Sequence, residues 1–281
     1  MPFHEAVDAP GLAVLDVGVS YGRQRVIEAV SFGLRPGTVT ALIGPNGSGK
    51  STLLRAIARL HAPDAGTVTL ADGSDVLALS PKAFARNITL LAQTRPVPGG
   101  LTVREVVGFG RHPHRSRWTG QDAEGVAAVE RALELTRTTE LADRPVSALS
   151  GGQVQRVWLA SCLAQDTGIL LLDEPTTYLD LRYQVEILDV VRDLASEHGV
   201  TVGVVLHDLD QAAAIADHVV LLDNGAIMAQ GAPLEVLTAE NLSRAYGVRV
   251  DVSVEHGTIH SRAVGRHNTV LPHPTASSTV S

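Results

Sequence analysis

The stretch that most constrains this chain is Gly44-Pro45-Asn46-Gly47-Ser48-Gly49-Lys50-Ser51-Thr52. A short apolar run, 38–43, leads into it, and Leu53, Leu54, Ile57 and Leu60 follow at helical spacing until Pro63 and Gly66. Strand, glycine-rich loop and helix is the context in which G-x-x-x-x-G-K-[ST] cradles a phosphate. Glycines let successive backbone N–H groups curl around an anion, and the helix aims its positive end at the same point. Lys50 can then reach the β- and γ-phosphates of a nucleoside triphosphate, and the Ser51 hydroxyl can ligate Mg²⁺. By itself the motif implies nucleoside triphosphate binding and nothing finer.

A second apolar run, Ile169-Leu170-Leu171-Leu172, ends in Asp173-Glu174. It reads as a buried strand, expected beside the strand that feeds the phosphate loop. There Asp173 would hold Mg²⁺ through water, while Glu174 orients or deprotonates the attacking water. Taken alone, the run could be a strand ending in acidic surface residues. Its company with the phosphate loop favours the catalytic reading.

Around these motifs strands and helices alternate. Residues 14–20 and 25–34 read as strands, as do 67–71 and 88–93. Pro96, Pro98, Gly99 and Gly100 form a breaker cluster, after which helical spacing dominates to about Ala164. A long amphipathic helix is expected over 181–198, a strand over 200–206 and a helix over 209–216. Residues 218–223 form a further strand pattern, closed by the hairpin signal Asn224-Gly225. The alternation predicts an α/β fold with a mostly parallel sheet and a helical insertion in its middle. We divide the chain into one domain over 1–265 and a flexible Ser/Thr/Pro-rich tail over 266–281. Within the domain, a core spans about 12–95 and 165–235, a helical subdomain about 96–164, and a C-terminal module with a hairpin at His256-Gly257 about 236–265.

Bulk properties exclude several classes. The net charge of −7 argues against blanket neutralisation of a nucleic-acid backbone, so no nucleic-acid partner is expected. A single cysteine, Cys162, permits no intrachain disulfide, and it reads as a buried packing residue. The apolar runs are strand-length, too short to span a bilayer, and Met1 to Pro10 lacks the features of a signal peptide. A soluble protein is expected, with any membrane role exercised through partners. His112 and His114 flank Pro113 in an expected loop and read as solvated side chains rather than metal ligands.

Leu149-Ser150-Gly151-Gly152-Gln153 decides the class. Preceding a helical run, it offers a second helix N-terminus able to bind an anion. With it, the chain resembles the ABC ATPase family over roughly residues 12–245, the run being that family's signature sequence. The resemblance implies a P-loop NTPase core with an N-terminal antiparallel β subdomain and an inserted helical signature subdomain. It implies ATP and Mg²⁺ as ligands and a homodimer in which Ser150, Gly151, Gly152 and Gln153 meet the γ-phosphate held by the partner's loop. By the same resemblance Tyr21 stacks on adenine, while Gly44, Asn46, Gly47, Ser48, Gly49, Lys50, Ser51 and Thr52 hold the phosphates. Ser51, Gln93 and Asp173 serve the metal, Gln93 also sensing the transporter. Asp180 lies across the dimer interface, and Glu174, His207 and Lys50 act in hydrolysis.

Leu172 to Arg182 (LDEPTTYLDLR), Leu101 to His114 (LTVREVVGFGRHPH) and Val205 to Ala213 (VLHDLDQAA) are similar to the ATPases of bacterial ferric-siderophore importers, a group that also serves haem and cobalamin. The expected partners are two membrane permease subunits and an extracytoplasmic substrate-binding protein, with the ATPase peripheral on the cytoplasmic face of the cell membrane.

Overall fold

The computed structural model describes residues 11–93, 99–116 and 121–265. Pro96 and Pro98, the expected boundary at 95/96, the first ten residues and the tail over 266–281 lie outside them.

The central sheet has the order β5 (Ile88–Leu91), β6 (Ile169–Asp173), β7 (Thr201–Val205), β3 (Val39–Ile43), β8 (His218–Asp223) and β9 (Ala226–Gly231). Pairs along it are parallel except β8 with β9, which are joined through Asn224-Gly225. Both turn residues have positive φ, 46° and 80°, the geometry that a two-residue hairpin demands. Every residue of β3, β6 and β7 is buried, as expected of parallel strands covered on both faces.

One expectation needs correction. β6, which carries Asp173, is not beside β3: β7 lies between them. The gap is bridged by α1 (Lys50–Ile57), which leaves the loop after β3 and packs across β6 and β7.

A second, antiparallel sheet of β2 (Gln24–Leu34), β1 (Leu12–Tyr21) and β4 (Ala65–Leu70) covers α1. One apolar cluster joins it to α1 and the central sheet, through Val19, Ile27, Leu53, Leu54 and Leu171 among others. The opposite face of the sheet packs on α6 (Leu181–Ser196) and α7 (Leu209–Ile215). The same cluster takes in the C-terminal elements α8 (Pro233–Val236), α9 (Ala239–Tyr246), β10 (Val250–Glu255) and β11 (Thr258–Ala263) through Val236, Leu242, Val250 and Ile259.

The helical insertion has its own cluster, built on α3 (Val103–Val107), α4 (Gly125–Leu135) and α5 (Gly151–Ala164). α5 is buried on two sides, since Val157 and Ala160 face the insertion while Leu159 and Cys162 face the main core. His112 and His114 lie in a 3-10 helix over Gly108–His114 rather than a loop, and His114 Nε2 donates to the Gln165 carbonyl at 2.7 Å. Among the described residues no cluster of three or more potential metal ligands occurs, and no helix is long and apolar enough to cross a membrane.

Arg111, 3% exposed, clamps the insertion. Its guanidinium donates to both oxygens of Asp122, at 2.7 and 3.0 Å, and to the Ala164 carbonyl at 3.0 Å. The hydrogen bond from Arg111 holds the Asp122 carboxyl below the usual carboxylate range. The stability it contributes is therefore complete above the unfolded-state value and is lost as pH falls through the depressed one. Arg111→Ala leaves a half-buried carboxylate without its two charged hydrogen bonds and should cost about 2–3 kcal/mol, read as a lowered urea midpoint.

Candidate nucleotide site

β3 stops at Ile43 and α1 starts at Lys50, leaving a loop that turns through glycines. Gly49, at the helix N-cap, has φ +101°, and a Cβ there would lie 2.3 Å from Ile27 Cδ1, so only glycine fits. The loop is braced from behind: Gly225 N–H donates to the Ser48 carbonyl at 3.1 Å, and Glu28 N–H to the Gly225 carbonyl at 3.0 Å. Ser48 Oγ is buried with no hydrogen-bond partner among the described residues, a hydroxyl in place for an anion. Lys50, 4% exposed, donates from Nζ to the carbonyls of Gly44 at 2.8 Å and Pro45 at 2.9 Å. Burial pushes its ammonium below the ordinary lysine range, while the Glu174 and Asp173 carboxylates pull the other way.

At the end of β6 the adjacent carboxylates have different neighbours. Asp173, 1% exposed, accepts from Ser51 Oγ at 2.7 Å and from Arg55 Nη2 at 3.3 Å. The Ser51 hydroxyl and Asp173 carboxylate form a hard-oxygen pair of the kind that Mg²⁺ takes. Glu174 has a left-handed backbone, φ +54°, a conformation that costs energy and is held by its surroundings. Its Oε2 accepts from Gln93 Nε2 at 2.5 Å and Thr177 Oγ1 at 3.2 Å, and its Oε1 lies 2.5 Å from His207 Nε2. A carboxylate has about four lone-pair sites, so this arrangement leaves room for one more donor. Gln93 stands two residues beyond β5, and His207 two beyond β7. The loop after Glu174 is tied down by Thr176 donating to Gln211 at 2.8 Å and by Gln211 donating to Gln184 at 3.0 Å.

Two cavities meet at Asn46, Glu174 and His207. One, of about 280 Å³, runs from Tyr21 along Gly47, Gly49, Lys50, Ser51 and Thr52. The other, of about 580 Å³, adds Gly44, Gln93, Tyr178 and Tyr246. Tyr21 is 46% exposed, and its ring packs at 4.3 Å on His61, leaving one face for a base.

Ser150, Gly151, Gly152 and Gln153 line neither cavity. They open α5: Ser150 Oγ accepts from Gln153 N–H, and Gln153 Oε1 accepts from Ser150 N–H at 3.0 Å. Gly152 is buried under Tyr183, where a Cβ would lie 2.3 Å from the ring. Ser150 Oγ donates to the Tyr183 hydroxyl at 3.4 Å. Asp180 is exposed at the N-cap of α6, after Tyr178, which is 96% exposed with φ +65°.

Sequence reasoning did not find Arg55, Thr177, Tyr183 or Tyr246. Arg55 follows Ser51 by one helical turn, a spacing that could have signalled it. Thr177 bonds Glu174 from three residues on in the same loop, whereas Tyr183 and Tyr246 owe their places to packing between distant elements.

The protein-family model described as ABC transporter matches residues 27–177. The chain is 48% identical to the ferric enterobactin transport ATP-binding protein FepC of Escherichia coli over 82% of this chain and 85% of that one. It is 41% identical to the iron(3+)-hydroxamate import ATP-binding protein FhuC of Bacillus subtilis, over 88% and 91%. Its fold matches a dimeric bacterial ABC transporter cassette with a TM-score of 0.69 and 28% identity, over 79% of this chain and 98% of that one.

Gly152→Ala should cost about 1–3 kcal/mol by overpacking Tyr183. In denaturant unfolding, Gly152→Ala/Tyr183→Ala should cost less than the sum of the two single changes. Additive costs would contradict the contact.

Proposed function

The chain belongs to the ABC transporter ATP-binding family, and from that premise we propose that it is the ATP-hydrolysing subunit of a membrane importer of ferric siderophore complexes. The observation that carries hydrolysis is Glu174, held by Gln93, Thr177 and His207 where the two cavities meet. The relatives' roles in ferric enterobactin transport and iron(3+)-hydroxamate import support the cargo class.

In this reading ATP lies along the smaller cavity with adenine on Tyr21. Gly44, Asn46, Gly47, Ser48, Gly49 and Thr52 wrap the phosphates, and Lys50 exchanges its carbonyl partners for the β- and γ-phosphates. Ser51 and Asp173 would hold Mg²⁺, with Gln93 nearby; the ion would supply charge neutralisation on the phosphates. Glu174 takes the proton of the attacking water at a carboxylate oxygen whose direction its three partners fix. His207 bonds the γ-phosphate and steadies Glu174.

Ser150, Gly151, Gly152 and Gln153 act on ATP held by a second copy, which is consistent with their standing outside both cavities. Beside Asp180, Tyr178, Leu181 and Val185 are 96%, 77% and 50% exposed, apolar surface suited to a partner copy. ATP would favour the closed dimer by its differential affinity for that state, and hydrolysis would release it. The motion passes through Gln93 and the helical insertion to two permease subunits, fed by an extracytoplasmic binding protein. The ATPase would sit peripherally on the cytoplasmic face of the membrane. We retain the division into a core (12–95 and 165–235), a helical subdomain (96–164) and a C-terminal module (236–265), with α8 straddling the start of the last. The insertion's own apolar cluster supports that division.

Glu174→Gln should keep ATP affinity within about threefold and lower turnover by about 10²–10⁴-fold. Lys50→Ala should lose nucleotide binding itself. In source cells lacking the protein, labelled ferric siderophore uptake should return with wild type and not with Glu174→Gln. Unimpaired uptake in the deletion strain, with no redundant importer, would redirect the cargo to haem or cobalamin.

A further inference from the structure

Tyr246, the last residue of α9, lines the larger cavity together with Gly44, Pro45, Glu174 and His207. Its ring packs against the main apolar cluster. The phenol oxygen lies within reach of the Gly44 N–H, and it is buried without a close hydrogen-bond partner among the described residues, so its own O–H hydrogen is unused. A buried hydroxyl with an unused donor is unfavourable unless another state of the protein supplies its acceptor.

Lys50 releases such acceptors. Its Nζ now donates to the carbonyls of Gly44 and Pro45, and Gly44 is buried. An ammonium has three donors, so turning toward two phosphates removes at least one carbonyl bond. A carbonyl left bare in a buried loop would weaken nucleotide binding by its own desolvation cost.

We propose that Tyr246 is a positioning residue: its hydroxyl takes over the Gly44 carbonyl released by Lys50, whereas the Pro45 carbonyl keeps its bond from Ser48 N–H, so that nucleotide binding draws the C-terminal module onto the phosphate loop. The inference rests on the ATP-site reading above. The module has a second anchor at the site's far edge. Ser261 donates to Asp210 Oδ1 from its backbone N–H at 2.9 Å and from Oγ at 2.8 Å. Asp210 lies on α7, three residues after His207. The module thus holds both the loop that binds phosphate and the helix that follows the γ-phosphate histidine.

Tyr246→Phe keeps the ring and removes the hydroxyl. Equilibrium binding of MgATP, thermal melting without nucleotide, and hydrogen exchange over 239–263 with and without MgATP test the proposal. Wild type should bind MgATP and gain protection over 239–246. The variant should bind roughly fivefold more weakly and gain no such protection, with a nucleotide-free melting temperature no lower than wild type. A purely structural tyrosine would lower the melting temperature and leave the nucleotide response intact, which would overturn the proposal. Equal affinity and equal protection in both proteins would overturn it alone. Failure of wild type to bind MgATP would overturn the ATP-site reading with it.

Discussion

The hydrogen bond from Ser51 Oγ to Asp173 Oδ1, at 2.7 Å, joins the start of α1 to the end of β6 across a sequence separation of 122 residues. Every other feature of the site depends on that junction. α1 must leave the loop after β3 and cross β7 to reach β6, which sets the sheet order and buries the face of α1 that carries Leu53 and Leu54. Glu174 takes a left-handed backbone, and its carboxylate lands between Gln93 and His207, two residues past the ends of β5 and β7. Functional groups thus collect where the parallel strands end, the place where an open α/β sheet offers a crevice.

The same geometry keeps the Ser150 helix start apart from these cavities. Phosphate loop, Glu174 and His207 share cavities, but the helix start at Ser150 opens elsewhere, capped by Gln153 and backed by Tyr183. In the proposed function both helix starts meet phosphate, and because the second lines neither cavity, a second copy would bring them together. The helical insertion has its own core yet shares α5 with the main one, so the two cores meet along a single helix.

Much of this was legible in the chain. The phosphate loop, the paired carboxylates, the signature run and the Asn224-Gly225 turn are local chemistry, and local chemistry is written in contiguous residues. Strand order was not: β3, β6 and β7 are near-continuous apolar runs, because strands buried on both faces carry no side-specific pattern. Nothing in those runs distinguishes β6 from β7 as the neighbour of β3, and β7 takes that position. Tyr183 under Gly152 and Tyr246 beside Gly44 were equally invisible, since neither has a local signal and each arrives on a distant helix. His112 and His114 read as a loop because of Pro113, but a 3-10 turn accommodates that proline.

In the proposed dimer each ATP is enclosed by the loop of one copy and the signature of another. Gly151 allows a clean test, because nothing lies within 4 Å of a Cβ placed there, so Gly151→Asp fits the single chain. The measurement is sedimentation velocity with MgATP, comparing Glu174→Gln with Glu174→Gln/Gly151→Asp. The account predicts that the first becomes a dimer and the second stays a monomer while still binding ATP, its added carboxylate facing the partner's phosphates. Equal dimerisation of both would contradict it, as would monomers throughout alongside full ATP turnover by wild type.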